Sequence, residues 1–419
     1  MRAGGAPVDA SAGPPLAVPA TFFLASLGGM AAAGAWLVLR GAACFAGSGA
    51  PASQALVHLL ALGFLASAML GALMQMLPVI LGAPVPAPRL GFGVAAALLG
   101  GALLLAAGLA GLAPTAATGG ALLGLAGLGF GLPVLLGLAR SRVWTDTAIG
   151  VRLSLLGLVV LGCLGVGFAS LRGGASTAVT LLPGSYLDWR SAHAGLALTV
   201  WLGGLLSAVS WQILPMFYTA PEVPRVATRA SVAGLAGSLV GLPLCAALGW
   251  PMALGFVPGA LAVWVVAPVS GARALARRRR RRTDYSVQSW QAALASGAAA
   301  AVLLALGQNT AAVWLALWGW GGLAVHGMLS RIVPFLLWFH RLSPLVGHVA
   351  VPPMRKLLPP TRLRTSLSLH GAALGAGLLA IATGSDALAR LTGALVLATA
   401  AVLGRWLVAV LRTQAPTAD

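Results

Sequence analysis

The chain has 419 residues, 59% of them hydrophobic and 8% charged, with a mean hydropathy of +0.94 and a formal net charge of +19. A soluble domain carries about a quarter charged residues, so that class is excluded, and the apolar stretches reach the roughly 20 residues that cross a bilayer. Cys44, Cys163 and Cys245 are dispersed and form no CxxC, which gives no support to a disulfide framework or a thiolate metal site; they read as small packing residues.

In chain order, residues 1–17 lack the basic, short-cored, cleavable start of a signal peptide and are expected to be a disordered cytoplasmic tail. Twelve spans are then predicted. The first six lie near 18–39, 54–81, 90–112, 119–139, 150–171 and 191–217. The second six lie near 231–249, 251–270, 287–306, 310–338, 366–384 and 391–411. The shortest break between them is the turn at Gly249 and Trp250. The expected fold class is all-α, a single transmembrane domain over 18–412 followed by a tail at 413–419. The 56 glycines suit close helix–helix approach in lipid.

Spans two, six and ten end alike, in Gln75-Met76-Leu77-Pro78, Gln212-Ile213-Leu214-Pro215 and Arg331-Ile332-Val333-Pro334. A strong hydrogen-bonding side chain deep in an apolar run is costly, so three of them at one distance from a proline read as a repeat. The expectation is three four-helix units, about 18–140, 150–270 and 287–411, each with a marked second helix. Pro78, Pro215 and Pro334 sit near helix ends, where a lost backbone hydrogen bond matters least. Gln75, Gln212 and Arg331 then either satisfy the freed carbonyls or line a polar path. Met74, Met76 and Met216 beside them are core residues or soft copper ligands.

Loop charge predicts the topology. One face takes Arg2, Arg89, Arg140, Arg142, Arg152, Arg225, Arg229, Arg273, Arg277 to Arg282, Arg341, Arg355, Lys356, Arg362, Arg364 and Arg412, twenty cations in all. The other takes four, Arg40, Arg172, Arg190 and Arg390, while Arg331 and Arg405 fall within spans. The positive-inside rule places both termini in the cytoplasm. Arg277–Arg282 reads as a loop anchor on anionic lipid; it lacks the interleaved aromatics a nucleic-acid surface wants. The seven acidic residues fall in tails, loops or span ends, which argues against a proton pump or cation symporter built on a buried carboxylate.

An intramembrane ionisable residue is a functional hypothesis by default. With this topology His58 and His193 lie in the first turns of spans two and six, towards the outer leaflet. As neutral imidazoles on facing helices they suit one haem or one metal. Alternatively each hydrogen-bonds at the membrane boundary. His58 precedes Gln75 by 17 residues and His193 precedes Gln212 by 19; two residues turn a helix by about 200°, so the pair shares a face only if a bulge or kink intervenes. His326 lies five residues before Arg331, which is not one helical face. With no carboxylate expected nearby, these two need backbone carbonyls, an amide, water or an anionic cofactor group. His340 and His348 read as interfacial. His370, about a turn into span eleven and also on the cytoplasmic side, reads as a polar-path or structural residue, with a ligand role as the alternative.

Twelve spans with both termini inside, a three-fold four-helix organisation and an outer-side histidine on spans two and six resemble the catalytic subunit of haem–copper oxidases. The segment His58-Leu59-Leu60-Ala61-Leu62-Gly63-Phe64, continuing through Gly71 to Pro78 and Gly82, is similar to the NnrS family of haem- and copper-containing membrane proteins linked to nitric oxide tolerance. The resemblance covers most spans in topology and, residue by residue, only spans two, six and ten. It implies a haem ligand at His58, a copper ligand at His193, and a bacterial-type inner membrane with respiratory or redox membrane proteins as partners. The departures are specific. Residues 231–249 hold no histidine pair, and span ten has His326 alone where the oxidases have His-x-His. A binuclear oxygen-reducing centre cannot be built from that set, so an oxidase is not expected. One b-type haem between His58 and His193 is the reading that follows, with Arg190, one turn before His193, and Arg331 available to propionates. The rivals are a secondary transporter or channel along Gln75, Gln212 and Arg331, and an assembly partner with no site of its own.

Overall fold

In the computed structural model, which describes residues 13–81, 85, 87–175, 178–280 and 284–414, the chain is helical and contains no strand among those residues. Twelve helices are long and apolar enough to cross a membrane. They are Ala17–Phe45, Pro51–Pro78, Leu90–Leu109, Ala116–Arg140, Asp146–Arg172 and Tyr186–Tyr218, then Arg225–Leu248, Met252–Ala276, Tyr285–Ala305, Asn309–Leu345, Pro360–Thr383 and Asp386–Leu411. They are spans one to twelve below. Most of the predicted N-terminal tail, Gly82, Arg281 and Arg282 of the basic run, and most of the C-terminal tail lie outside the described residues.

Spans two, six and ten form the centre. Their apolar windows are 72%, 67% and 78% buried, against 61% or less in every other span. Around them spans one, three, four, five, seven, eight, nine, eleven and twelve follow one another by contact, and twelve packs back on one. The break between spans seven and eight is tight because Gly249 takes a left-handed φ of +67°, donates to the Cys245 carbonyl and precedes Pro251. Spans one and two meet backbone to backbone. A Cβ on Gly29 would lie 2.1 Å from the Gly63 carbonyl carbon, so only glycine allows that crossing.

Each central span contains a widened, π-helical stretch of eight residues, namely Leu59–Ala66, Leu196–Gly203 and Leu315–Gly322. An α-helix of 15 residues follows each one, Ser67–Leu81, Gly204–Tyr218 and Leu323–Leu337, with Pro78, Pro215 and Pro334 inside. The three wide stretches touch one another at the middle of the bundle. Wide turns of this kind are rare and often mark functional sites.

Candidate functional site

Two pairs of histidines lie beside these wide turns. His58 immediately precedes Leu59–Ala66, and His193 stands three residues before Leu196–Gly203. Their rings face each other across spans two and six, with centroids 6.4 Å apart and planes 25° apart. Nδ1 of His58 donates to the Gln54 carbonyl at 2.7 Å, because a carbonyl can only accept. That bond leaves Nε2 as the free lone pair, the arrangement typical of a metal-ligating histidine. His193 Nδ1 is buried without a geometrically good hydrogen bond, although the ring lies beside the Leu161 backbone. Its ring is wedged against the Phe168 edge, 5.7 Å away, and beside Gly165, where a Cβ would lie 3.2 Å from His193 Cε1.

Two imidazole nitrogens each about 2.0 Å from one metal, on opposite sides of it, place the ring centroids roughly 6–6.5 Å apart. The 6.4 Å spacing lies in that range, and the unpartnered His193 nitrogen is available as a donor. Both central spans are widened over matching stretches, so the wide turns do not cancel the two-residue offset; the rings meet because the helices face one another. Arg190 is half-buried near the start of span six, in the helical turn before His193.

The second pair, His326 on span ten and His370 on span eleven, is fully buried, with exposures of 2% and 0%. Their Nδ1 atoms are 3.1 Å apart. His370 Nε2 donates to the Trp318 carbonyl at 2.9 Å, while the Trp318 indole N–H donates to the His370 carbonyl at 3.2 Å. The two rings stack at 4.1 Å. His326 Nε2 meets the Ser366 hydroxyl at 3.0 Å. With both rings neutral, His370 Nε2–H ends on the Trp318 carbonyl and His326 Nδ1–H donates to His370 Nδ1, which leaves His326 Nε2 as an acceptor facing Ser366; the one Ser366 proton is shared with the Leu363 carbonyl, 3.1 Å away.

Arg331 has a carboxylate partner after all. Its guanidinium pairs with Asp284, the N-cap of span nine, and its Nε donates to Ser286 at 3.0 Å. Burial pushes the Asp284 carboxyl up, but the Arg331 charge and the hydrogen bonds from Val287 N–H and Ser286 outweigh it and hold it below the usual carboxylate range. Gln75 and Gln212 do not join Arg331. The Gln75 amide donates to the Pro14 carbonyl at 3.2 Å, and Gln212 is exposed on the outside of span six. None of the three bonds to a carbonyl freed by its proline. Pro78 and Pro215 lie in the last turns of their helices, but Pro334, expected near a helix end, does not, because span ten continues through Trp338–Leu342 to Leu345. Sequence reading placed His326 and His370 separately and missed their pairing, which joins residues 44 apart on different spans. It also missed Asp284 as the partner of Arg331, although Asp284-Tyr285-Ser286 before an apolar run is a capping signal.

No family model matches the chain, and no curated protein matches it.

Proposed function

We propose that the chain is a haem-binding redox protein of a bacterial-type inner membrane. In this reading both termini are cytoplasmic, three related four-helix units make up the bundle, and His58 and His193 hold one b-type haem. The observation that carries this is the facing ring pair at 6.4 Å, one ring oriented by a backbone carbonyl and the other with an orphaned buried nitrogen. A haem held by these two residues would supply one-electron chemistry, tuned by their basicity and by burial. The chain's own part is to hold both imidazoles in fixed orientation: Gln54 sets the His58 tautomer, and Phe168 and Gly165 fix the His193 ring. Arg190 is the cation nearest in sequence to His193 for a propionate. The role is electron transfer, nitric-oxide or redox stress, or metal and haem handling for respiratory partners, rather than oxygen reduction. Copper is the alternative occupant of the same two nitrogens.

A solute path along Gln75, Gln212 and Arg331 gains no support, because their side chains go to three different places. The test is an absorbance and pyridine-haemochrome spectrum of the protein in mild detergent, with metal analysis on the same sample. A reduced b-type spectrum lost in His58→Ala or His193→Ala is expected. Copper without haem, lost in the same variants, would move the assignment to a copper site. A colourless, metal-free and well-folded protein, expressed with ample haem, would overturn both.

A further inference from the structure

Just beyond the point where the three wide turns touch, the central helices leave a space between them. An apolar cavity of ≈ 50 Å³ lies there, walled by the helices Ser67–Leu81, Gly204–Tyr218 and Leu323–Leu337 and by Phe23 of span one. The three helices face it in the same register. The third residue of each, Met69, Leu206 and Val325, lines it, and so does the tenth, Met76, Ile213 and Ile332. A chance packing fault would not pick equivalent positions on three helices, so the space belongs to the way the central spans are built. Every lining residue is apolar and none is exposed.

Size and lining decide what such a cavity takes. A buried water needs two to four polar partners, and these walls offer none, because helical backbone groups are already paired with one another. The cavity is therefore dry. Side chains that face a void lose dispersion contacts, which an apolar guest restores. An apolar cavity of about 150 Å³ takes benzene or xenon, so one with a third of that room takes a xenon atom or a diatomic molecule and not an aromatic ring. Met69, Met76 and Met328 on its walls are flexible, and their polarisable sulfurs adapt to a guest of this kind. We propose that this cavity binds one small nonpolar gas molecule, a diatomic of the size of O2, drawn from the bilayer. Transfer from water into an apolar phase favours such a molecule, so the membrane supplies it at a higher concentration than the aqueous phase does. Binding is non-covalent; no bond changes and no charge moves. His58 and His193 precede the wide turns and the cavity follows them, so the site stands whether or not those histidines hold haem.

Xenon is the probe, because it is nonpolar, polarisable and inert. With isotope-labelled methionine methyl groups in the full chain in detergent, its binding is read by nuclear magnetic resonance. Raising dissolved xenon is expected to shift the Met69, Met76 and Met328 methyl signals along a saturating curve. Met216, 44% exposed, reports what xenon dissolved in the micelle does by itself and should shift only in proportion to xenon. The saturating shift should disappear in Ala68→Val and in Ala72→Val, each of which adds two methyl groups at the cavity wall. Either variant decides if the other fails to fold. Shifts at the three methyls as linear as that of Met216 would overturn the site, and so would saturation that survives both substitutions. Magnetisation transfer from detergent chains to the same three methyls would show an alkyl chain in the cavity, which rules out the gas assignment.

Discussion

His326 and His370 show what a polar residue costs and requires in the middle of an apolar bundle. Each nitrogen has a partner, so truncating one ring leaves the other's Nδ1 buried and unpaired. Leaving one buried polar atom unsatisfied costs about 1–3 kcal/mol. His326→Leu is therefore expected to lower stability by that amount in denaturant unfolding, with helical content unchanged before the transition. Asp284 gives a second prediction, in pH. Its native value lies below the unfolded one, so its stabilising contribution is complete above about pH 4 and is lost as pH falls through the lower native value. Thermal unfolding between pH 6 and pH 3 should show that loss in the unmodified chain and a flatter profile in Arg331→Gln, which removes the main charge holding the carboxylate. At this scale the sequence showed which residues matter better than which ones meet. His58 with His193 was expected from depth and residue type. His326 with His370 was not, because nothing local to either one encodes a contact across two spans.

At the scale of single elements, the informative feature is the wide turn placed in each central span. In span two it lies between His58 and the Gln75–Pro78 end, so it sets the angle between them. Deleting Ala61 removes one residue from it and turns the preceding part of the helix by about 100° relative to the rest. The expected outcome is loss of whatever His58 and His193 bind jointly, read as haem or metal content, with circular dichroism intact. A one-residue deletion in the loop at Ser141 should leave that content unchanged. The span boundaries were legible because hydropathy over twenty residues is a strong signal. The wide turns were not legible at all; the two-residue mismatch of His58 and His193 called for a bulge, but the wide turns match in the two spans and do not supply it. Leu59–Ala66 has the same apolar composition as its surroundings, and backbone widening leaves no compositional mark.

On the scale of the whole molecule, three helices are enclosed and nine face lipid. Span four is the least buried, at 28% of its window, and Leu125, Leu128 and Leu132 are 62%, 69% and 59% exposed along it. Leu128→Arg puts a charge against hydrocarbon, which costs about 2.5–3.5 kcal/mol at a helix centre. It should cut membrane-integrated yield, whereas Leu128→Val should not; fractionation of membranes with full-length detection checks this. Lipid-facing and enclosed spans are alike in hydropathy, so hydropathy does not tell them apart; the marked ends of spans two, six and ten were read as a repeat and not as enclosure.

The α-helical halves of those three spans that follow the wide turns do not quite close on one another. An apolar cavity of ≈ 50 Å³ remains among them and span one, lined by Phe23, Ala68, Met69, Leu205, Val325 and Met328 among others. Such a void makes the folded protein larger than its atoms require. Unfolding eliminates such voids, and the volume decrease on unfolding, roughly 20–100 mL/mol, scales with them. Hydrostatic pressure is thus a selective way to loosen the centre of this bundle while leaving its lipid-facing ring in place. Ala68→Val, which adds two methyl groups to the void, should shift the pressure midpoint upward.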